Sequence, residues 1–513
     1  MNCLNCKASC QEDHHQASHS KVIPLFIAEN EKTQEALPNE FVSVNVESAA
    51  FMRYVQNIGL LQIFGKLPDP RLQSRCTYSM ASLSAWAFYT CAFRQGSKNA
   101  MQTSIESLAT PDNKEGFFHL LNIKEGQKTV PHSSVVDDAL SKVDCMEFSE
   151  VLWDLFDRLI EQKTFYHNQE TLLPYNTFQI GTDGFWIHHY EKPHSTDAHG
   201  ENTCPYCLPR VHNKGKPNQF TTWVHVIVTF VLICGGGLTL PLYAYPLKAS
   251  QIKEGQSDED LKEECELAAA HIVLPLIRER YPKLSFTFLG DSLYANQQFV
   301  RLCEQLTFNY IIVLKEGSQK NLHKRCDGLA RTEFYQQNYT SEEREISGKE
   351  TIVKKAAWFN AVEMGGVFTN VLRFEENIIK QDGSSELIYK GAWICSKKIF
   401  HNGCFKRAKQ GRSRWDHEDL HNTLKNRGYD IKHDIARANP NLLMVWKIMM
   451  FIAFFVTELF MRTSVAQALQ KTRSCMKFAK DMLQQFIERS WAAIALSPIL
   501  IKARVQFRFN FLS

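Results

Sequence analysis

The stretch from residue 176 to residue 315 changes its apolar period in a fixed order, and few folds accept that order. TFQIGTDGFWIH, TTWVHVIVTFVLI and GLTLPLYAYPL are β-rich runs separated by glycine and polar turns, which reads as an antiparallel three-stranded meander. SDEDLKEECELAAAHIVLPLIRERYP (257–282) follows as a helix, with Ser257 at the N-cap and acids crowding the first turn. LSFTFLGDSLYAN is then a strand, NQQFVRLCEQL a helix and FNYIIVLK a strand.

Three strands, helix, strand, helix, strand is the order of an α/β, ribonuclease-H-like core, whose first part spans 176–315. Residues 316–390 interrupt it with charged turns and short strands such as AAWFNAV and GVFTNVLRF, a β-rich insertion. GAWICSKK returns to the core, and a long helix begins near Ser413, so 391–440 is the second part. Helical regions flank both. In 39–175, apolar residues recur three or four apart in FMRYVQNIGLLQIF, SMASLSAWAFYTCAF and MEFSEVLWDLFDRLI, and LPDPR (67–71) is a turn that two prolines keep out of either neighbouring helix. Residues 441–513 are again helical, and 1–38 form a polar Cys/His-rich tail.

Composition excludes some classes. With 44% hydrophobic and 22% charged residues, the 513-residue chain reads as globular rather than disordered. A net charge of +4 does not establish a nucleic-acid partner, so the distribution of charge has to decide. The chain begins MNCLNCKASCQEDHH, without a basic-then-apolar signal segment, and its 15 scattered cysteines suit reduced thiols. MVWKIMMFIAFFVTELFM (444–461) is broken by Lys447 and Glu458 and reads as a core helix. A cytoplasmic, nucleoid-associated protein without a membrane partner is expected.

Three acids fall where this core could gather them. Asp183 lies near the end of the first core strand, Asp291 at the end of the fourth, and Glu418 in the helix after the insertion. Parallel neighbouring strands bring the aspartates side by side, and a helix packed across the strand ends supplies the glutamate. Three carboxylates suit two hard cations, Mg²⁺ or Mn²⁺, which activate an attacking hydroxyl and stabilise the leaving oxygen of a phosphodiester. Taken singly, an aspartate after a strand is usually a turn former or helix cap, and a glutamate on a helix is most often solvated. Helical spacing then selects among the acids of SRWDHEDLHNTLK: Arg414 lies one turn before Glu418, and Lys425, seven residues after it, returns to nearly the same face. An Arg414–Glu418 ion pair worth tenths of a kcal/mol is the plainer account of that spacing.

Arg414-x3-Glu418-x6-Lys425 resembles the R-x3-E-x6-K signature of one large branch of bacterial insertion-sequence DDE transposases. The tyrosine that the branch carries three positions before the arginine is Gly411 here. RWDHEDLHNTLKNRGYDIKH is similar to its R-W-x-I-E-N-x-x-F-N-x-L-K-N-x-G-Y-x-x-x-H stretch, with His417 and His421 in place of apolar residues and Asp419 in place of Asn. LPDPR resembles the branch's I-P-D-P-R, and VPHSSVVDDALSKV its proline-led helix. The resemblance covers roughly 60–460 and implies metal-dependent DNA cleavage and strand transfer, with Asp183, Asp291 and Glu418 as the triad and Arg414 and Lys425 on DNA phosphates. Double-stranded element ends and target DNA would be its substrates and a DNA-bound homodimer its working form. The alternatives are a nuclease on the same core that only hydrolyses DNA, and a catalytically inactive DNA-binding derivative.

HHYEKPHSTDAHGENTCPYCLPRVHNKGK (188–216) joins a C-x2-C pair to five histidines. Cys204 and Cys207 can reach one tetrahedral zinc, with His194 and His212 completing the expected structural Zn²⁺ set and His199 and His225 as other candidate ligands. The branch has a similar element: E-K-x-H, C-x-x-C-L-x-R-x-H and a later strand histidine. Cys3, Cys6, Cys10, His14 and His15 form another candidate zinc site. Between Lys397 and Arg414 come Lys398, Lys406, Arg407, Lys409 and Arg412 without an acid, a basic stripe suited to a DNA backbone. Trp358 is a candidate platform for an unpaired base, although a core tryptophan is the plainer reading.

Overall fold

The computed structural model describes residues 47–511 except 125, 126, 128, 250–257, 349, 434, 437 and 438. The tail 1–38, with its candidate zinc site, and the Ser257 cap lie outside the described residues.

The N-terminal region is built on α1 (Glu47–Ile58), α2 (Met80–Ala92), α3 (Ser133–Leu140) and α4 (Cys145–Glu161). Local chemistry sets their starts: the Ser79 hydroxyl accepts from the Ser82 N–H and the Asp144 carboxylate from that of Met146, each satisfying an otherwise orphaned first-turn donor. Every residue of α2 is buried, as its small and aromatic residues on all faces require.

Next come β1 (Phe178–Tyr190), β2 (Leu208–His212), β3 (Phe220–Ile233), β4 (Thr239–Pro246), α5 (Asp258–Arg280), β5 (Phe286–Gly290), α6 (Gln297–Gln305) and β6 (Asn309–Val313). The insertion holds α7 (Lys320–Ala330), β7 (Thr340–Ser347), β8 (Glu350–Met364), β9 (Val367–Ile379) and β10 (Ser385–Cys395). The chain closes with α8 (Cys404–Arg412), α9 (Asp416–Asn426), α10 (Pro440–Met461) and α11 (Cys475–Glu488).

The strands join one ten-stranded sheet in the order β2-β3-β1-β5-β6-β10-β9-β8-β7, with β4 also on β3. β3 pairs antiparallel with β1 and β4, whereas β5 pairs parallel with both β1 and β6. All five residues of β5 are buried, as a parallel strand covered on both faces demands. The fold is thus mixed α/β, with a large sheet of parallel and antiparallel pairs and helices at both ends of the chain.

Three local expectations change. Residues 316–390 open with α7, hidden in the sequence because only Leu322 and Cys326 are buried among its charges. β10 crosses the expected boundary at 390 and pairs antiparallel with β6, so the insertion extends the core sheet. The long helix near Ser413 is divided by a 3₁₀ turn at Ser413–Trp415 into α8 and α9.

Helices from both ends of the chain pack together. Trp86 of α2 meets Trp446 of α10 edge to face at 6.4 Å, and Asn441 bonds the backbone at Ser141, Val143 and Cys145. Among the described helices α10 alone is long and apolar enough to cross a membrane, and 94% of its apolar window is buried within the fold. Its fully buried Lys447 donates to the carbonyls of Ile431 and His433, so the charge is bonded.

Candidate active site and metal cluster

β1 and β5 pair in parallel from Phe178↔Phe286 to Gly181↔Leu289. The same register carried two residues further brings Asp183 level with Asp291, the residue just past β5. Asp183 is not near a strand end as expected, because β1 runs on to Tyr190 against β3 after β5 has stopped. Asp291 caps the following 3₁₀ turn, its Oδ1 accepting the Leu293 N–H at 2.9 Å.

α9 lies along the same face of β1. The Cβ position of Gly181 is 3.1 Å from His417 Nδ1, Asp183 Oδ2 is 3.6 Å from His421 Nδ1, and the Lys425 ammonium stands 4.9 Å over the Phe185 ring. Helix positions four apart therefore meet alternate strand residues, which works because four helical rises (about 6.0 Å) nearly equal two strand rises (about 6.6 Å). His417 and His421 are both buried, and each Nε2 is 3.0 Å from the Thr229 hydroxyl of β3. Burial pushes both imidazoles down to about 3, so they are neutral near pH 7.

Glu418 is partly exposed and faces Arg414 at 3.7 Å. Arg414 lines one cleft with Asp291, whereas His421, one turn beyond Glu418, touches Asp183. The three expected acids do not gather into one tight cluster: among the described residues the group of three or more His, Cys, Asp or Glu whose ligand atoms lie within 4.8 Å of one another is His194, Cys204 and His225, and Lys425 follows one turn beyond His421 on α9. The cleft, of about 900 Å³, lies between the core strand ends and the insertion and is lined also by Lys315, Lys320, Lys324 and Arg373. Arg373 pairs with Asp327 at 2.7 Å, but the three lysines have no ion-pair partner among the described residues. Sequence reasoning missed Lys320 and Lys324 because α7 was not recognised; their i, i+4 spacing was the available signal.

The expected basic stripe divides. Lys409 is exposed, Lys406 stands 5.5 Å over the Tyr175 ring, and Arg407 bonds Gln410. Arg412 is committed to the fold: it pairs with Glu376 of β9 at 2.8 Å and covers the Tyr389 ring at 4.3 Å. Trp358 offers no face to a base, being 2% exposed on β8 and packed toward Tyr339. The aromatic open at the cleft is Trp415, half exposed beneath Arg414.

Gly411 has a packing reason. A Cβ there would lie 2.7 Å from Nε1 of Trp393, itself buried in β10, so a tyrosine would have to displace the indole. The phenol that reaches the cleft belongs to Tyr389, stacked on Trp393.

A second constellation forms where β1, β2 and β3 meet. The candidate ligand atoms of His194, Cys204 and His225 lie within 4.8 Å of one another. Cys207 Sγ joins them at 3.1 Å from His225 Nε2, and Cys204 Sγ is 3.4 Å from the same nitrogen. His212 is not part of it: its Nε2 is 2.8 Å from the Thr222 hydroxyl and its ring stacks on Phe220. β2 carries His212 away to the 213–219 turn that closes the β2–β3 hairpin, and His225, buried on β3, takes that place. The Cys207 S–H, with His194 and His225 beside it, drives the Cys204 thiol well down, to about 3. His194, Cys204 and His225 are thus a candidate His/Cys/His metal cluster, with the Cys207 sulfur beside His225.

Comparison of the chain with protein-family models and with curated proteins returns no match.

Proposed function

We propose that the protein is a metal-dependent DNA strand-transfer enzyme of the DDE transposase type. What supports this reading is the parallel register of β1 and β5, which, carried two residues past its last pair, makes Asp183 level with Asp291, together with α9, which carries Glu418 and sets His421 3.6 Å from Asp183. The order β4-β3-β1-β5-β6, with the first three strands antiparallel and the last two parallel to β1, supports a ribonuclease-H-like core.

Asp183, Asp291 and Glu418 would hold two Mg²⁺ or Mn²⁺ ions, an all-oxygen set of the kind hard cations take. Such ions, when bound, supply activation of an attacking hydroxyl and charge stabilisation at the leaving oxygen. Arg414, bound to Glu418 and facing the cleft, is positioned to hold a phosphate beside the acids, and Lys425 continues that stripe past Asp183. Lys315, Lys320 and Lys324 extend it along the cleft as a path for one DNA backbone. His194, Cys204, Cys207 and His225 would hold a structural Zn²⁺ that clips the long 191–207 connection to β3.

The test is DNA cleavage. Wild-type protein should cut DNA carrying the element ends only with Mg²⁺ or Mn²⁺, and Glu418→Gln should abolish cutting while binding the same DNA. Full activity of Glu418→Gln would overturn the assignment.

A further inference from the structure

His417 and His421 are buried where α9 packs on β1, a place where apolar side chains would serve packing equally well. Their hydrogen bonds suggest another use. Thr229 Oγ1 is 3.0 Å from both Nε2 atoms and 3.2 Å from the Asp183 carbonyl oxygen, but a hydroxyl has one proton to give. If that proton went to the carbonyl, both Nε2 atoms would donate to Thr229, and the His421 Nδ1 lone pair would face the Asp183 carboxylate.

The attractive assignment runs in one direction. His417 Nε2–H donates to Thr229 Oγ1, Thr229 donates to His421 Nε2, and His421 Nδ1–H then points toward Asp183 Oδ2 at 3.6 Å, a charge–dipole contact. The His421 ring is clamped between Phe185 at 4.8 Å and His417 at 4.9 Å, so its direction is set by packing. Gly181 makes room for the first member, because a Cβ there would crowd His417 Nδ1.

We propose that His421 is a positioning residue for Asp183: with Thr229 and His417 behind it, it biases the carboxylate toward one orientation and leaves the other oxygen for a divalent cation. This rests on the reading of Asp183 as a metal ligand. Groups of this kind, behind a ligand, change metal affinity by roughly 10- to 100-fold when removed.

The experiment is Mn²⁺ titration of the full chain after chelator treatment, followed by electron paramagnetic resonance. Asp183→Asn should lose the site, and His421→Leu and Thr229→Val should each bind Mn²⁺ about 10- to 100-fold more weakly. His421→Asn, whose amide reproduces the donor at the Nδ1 position, should recover most of the affinity. Thr229→Val, nearly isosteric, carries the test if His421→Leu does not fold. Wild-type affinity in His421→Leu or Thr229→Val, with loss in Asp183→Asn, would overturn this inference alone. Equal Mn²⁺ binding by wild type and Asp183→Asn would remove the metal reading of Asp183, and this inference with it.

Discussion

Gly181 illustrates how much one missing Cβ arranges. A methyl group at that position would stand 2.7 Å from Ile233 Cδ1 and 3.1 Å from His417 Nδ1, and both neighbours are buried. Gly181→Ala is therefore expected to lower stability by about 1–3 kcal/mol, the usual cost of overpacking, read as a lower denaturant midpoint with unchanged slope. Gly411 is the same kind of position against Trp393, which explains in packing terms why a tyrosine is absent there. The sequence marked Gly411 but not Gly181, and it could not say what stood over either, since Ile233, His417 and Trp393 arrive from distant segments.

At the scale of elements, the turn LPDPR is fastened by its own side chains. Asp69 accepts from Arg71 Nε at 2.8 Å and Nη2 at 2.7 Å, and this pairing holds its carboxyl down to about 2. A carboxylate lowered in the folded state contributes stability above its unfolded pKa of about 4 and loses it as pH falls through the folded value. Wild-type protein should lose more stability than Asp69→Asn between pH 5 and pH 2, and parallel urea midpoints across that range would contradict the assignment. The β1–β3 hairpin makes a second element-level prediction through its Cys/His cluster. Cys204→Ser/Cys207→Ser should carry one equivalent less zinc than wild type by metal analysis and melt at lower temperature, because structural zinc contributes folding energy; unchanged zinc content would remove the claim.

Across the whole molecule, the two ends of the chain meet at α10. Asn441 accepts from the Cys145 N–H at 3.0 Å and donates to the carbonyls of Ser141 and Val143, closing the turn between α3 and α4. Asn441→Ala leaves partly buried backbone groups without partners and is expected to cost about 1–3 kcal/mol, measured as a shifted unfolding midpoint; an unshifted midpoint would mean that water replaces the bonds fully. Across the sheet, the insertion joins the core through β10 and β6, so the basic cleft is walled by both.

Period, turn chemistry and helix caps are local, so the α/β class, the succession β1, β3, β4, α5, β5, α6, β6 and the core nature of α10 could be read from the chain, whereas the short β2 and the charged α7 could not. The spacing of Arg414, Glu418 and Lys425 could be read for the same reason: one helical turn is a local distance. Where distant segments meet cannot be read that way. The exchange of His212 for His225, the burial of Trp358, the tie of Arg412 to Glu376 and the contact of His421 with Asp183 all depend on strand register and helix placement. Those are set by long-range packing of the sheet, in which a shift of one residue turns every side chain to the other face.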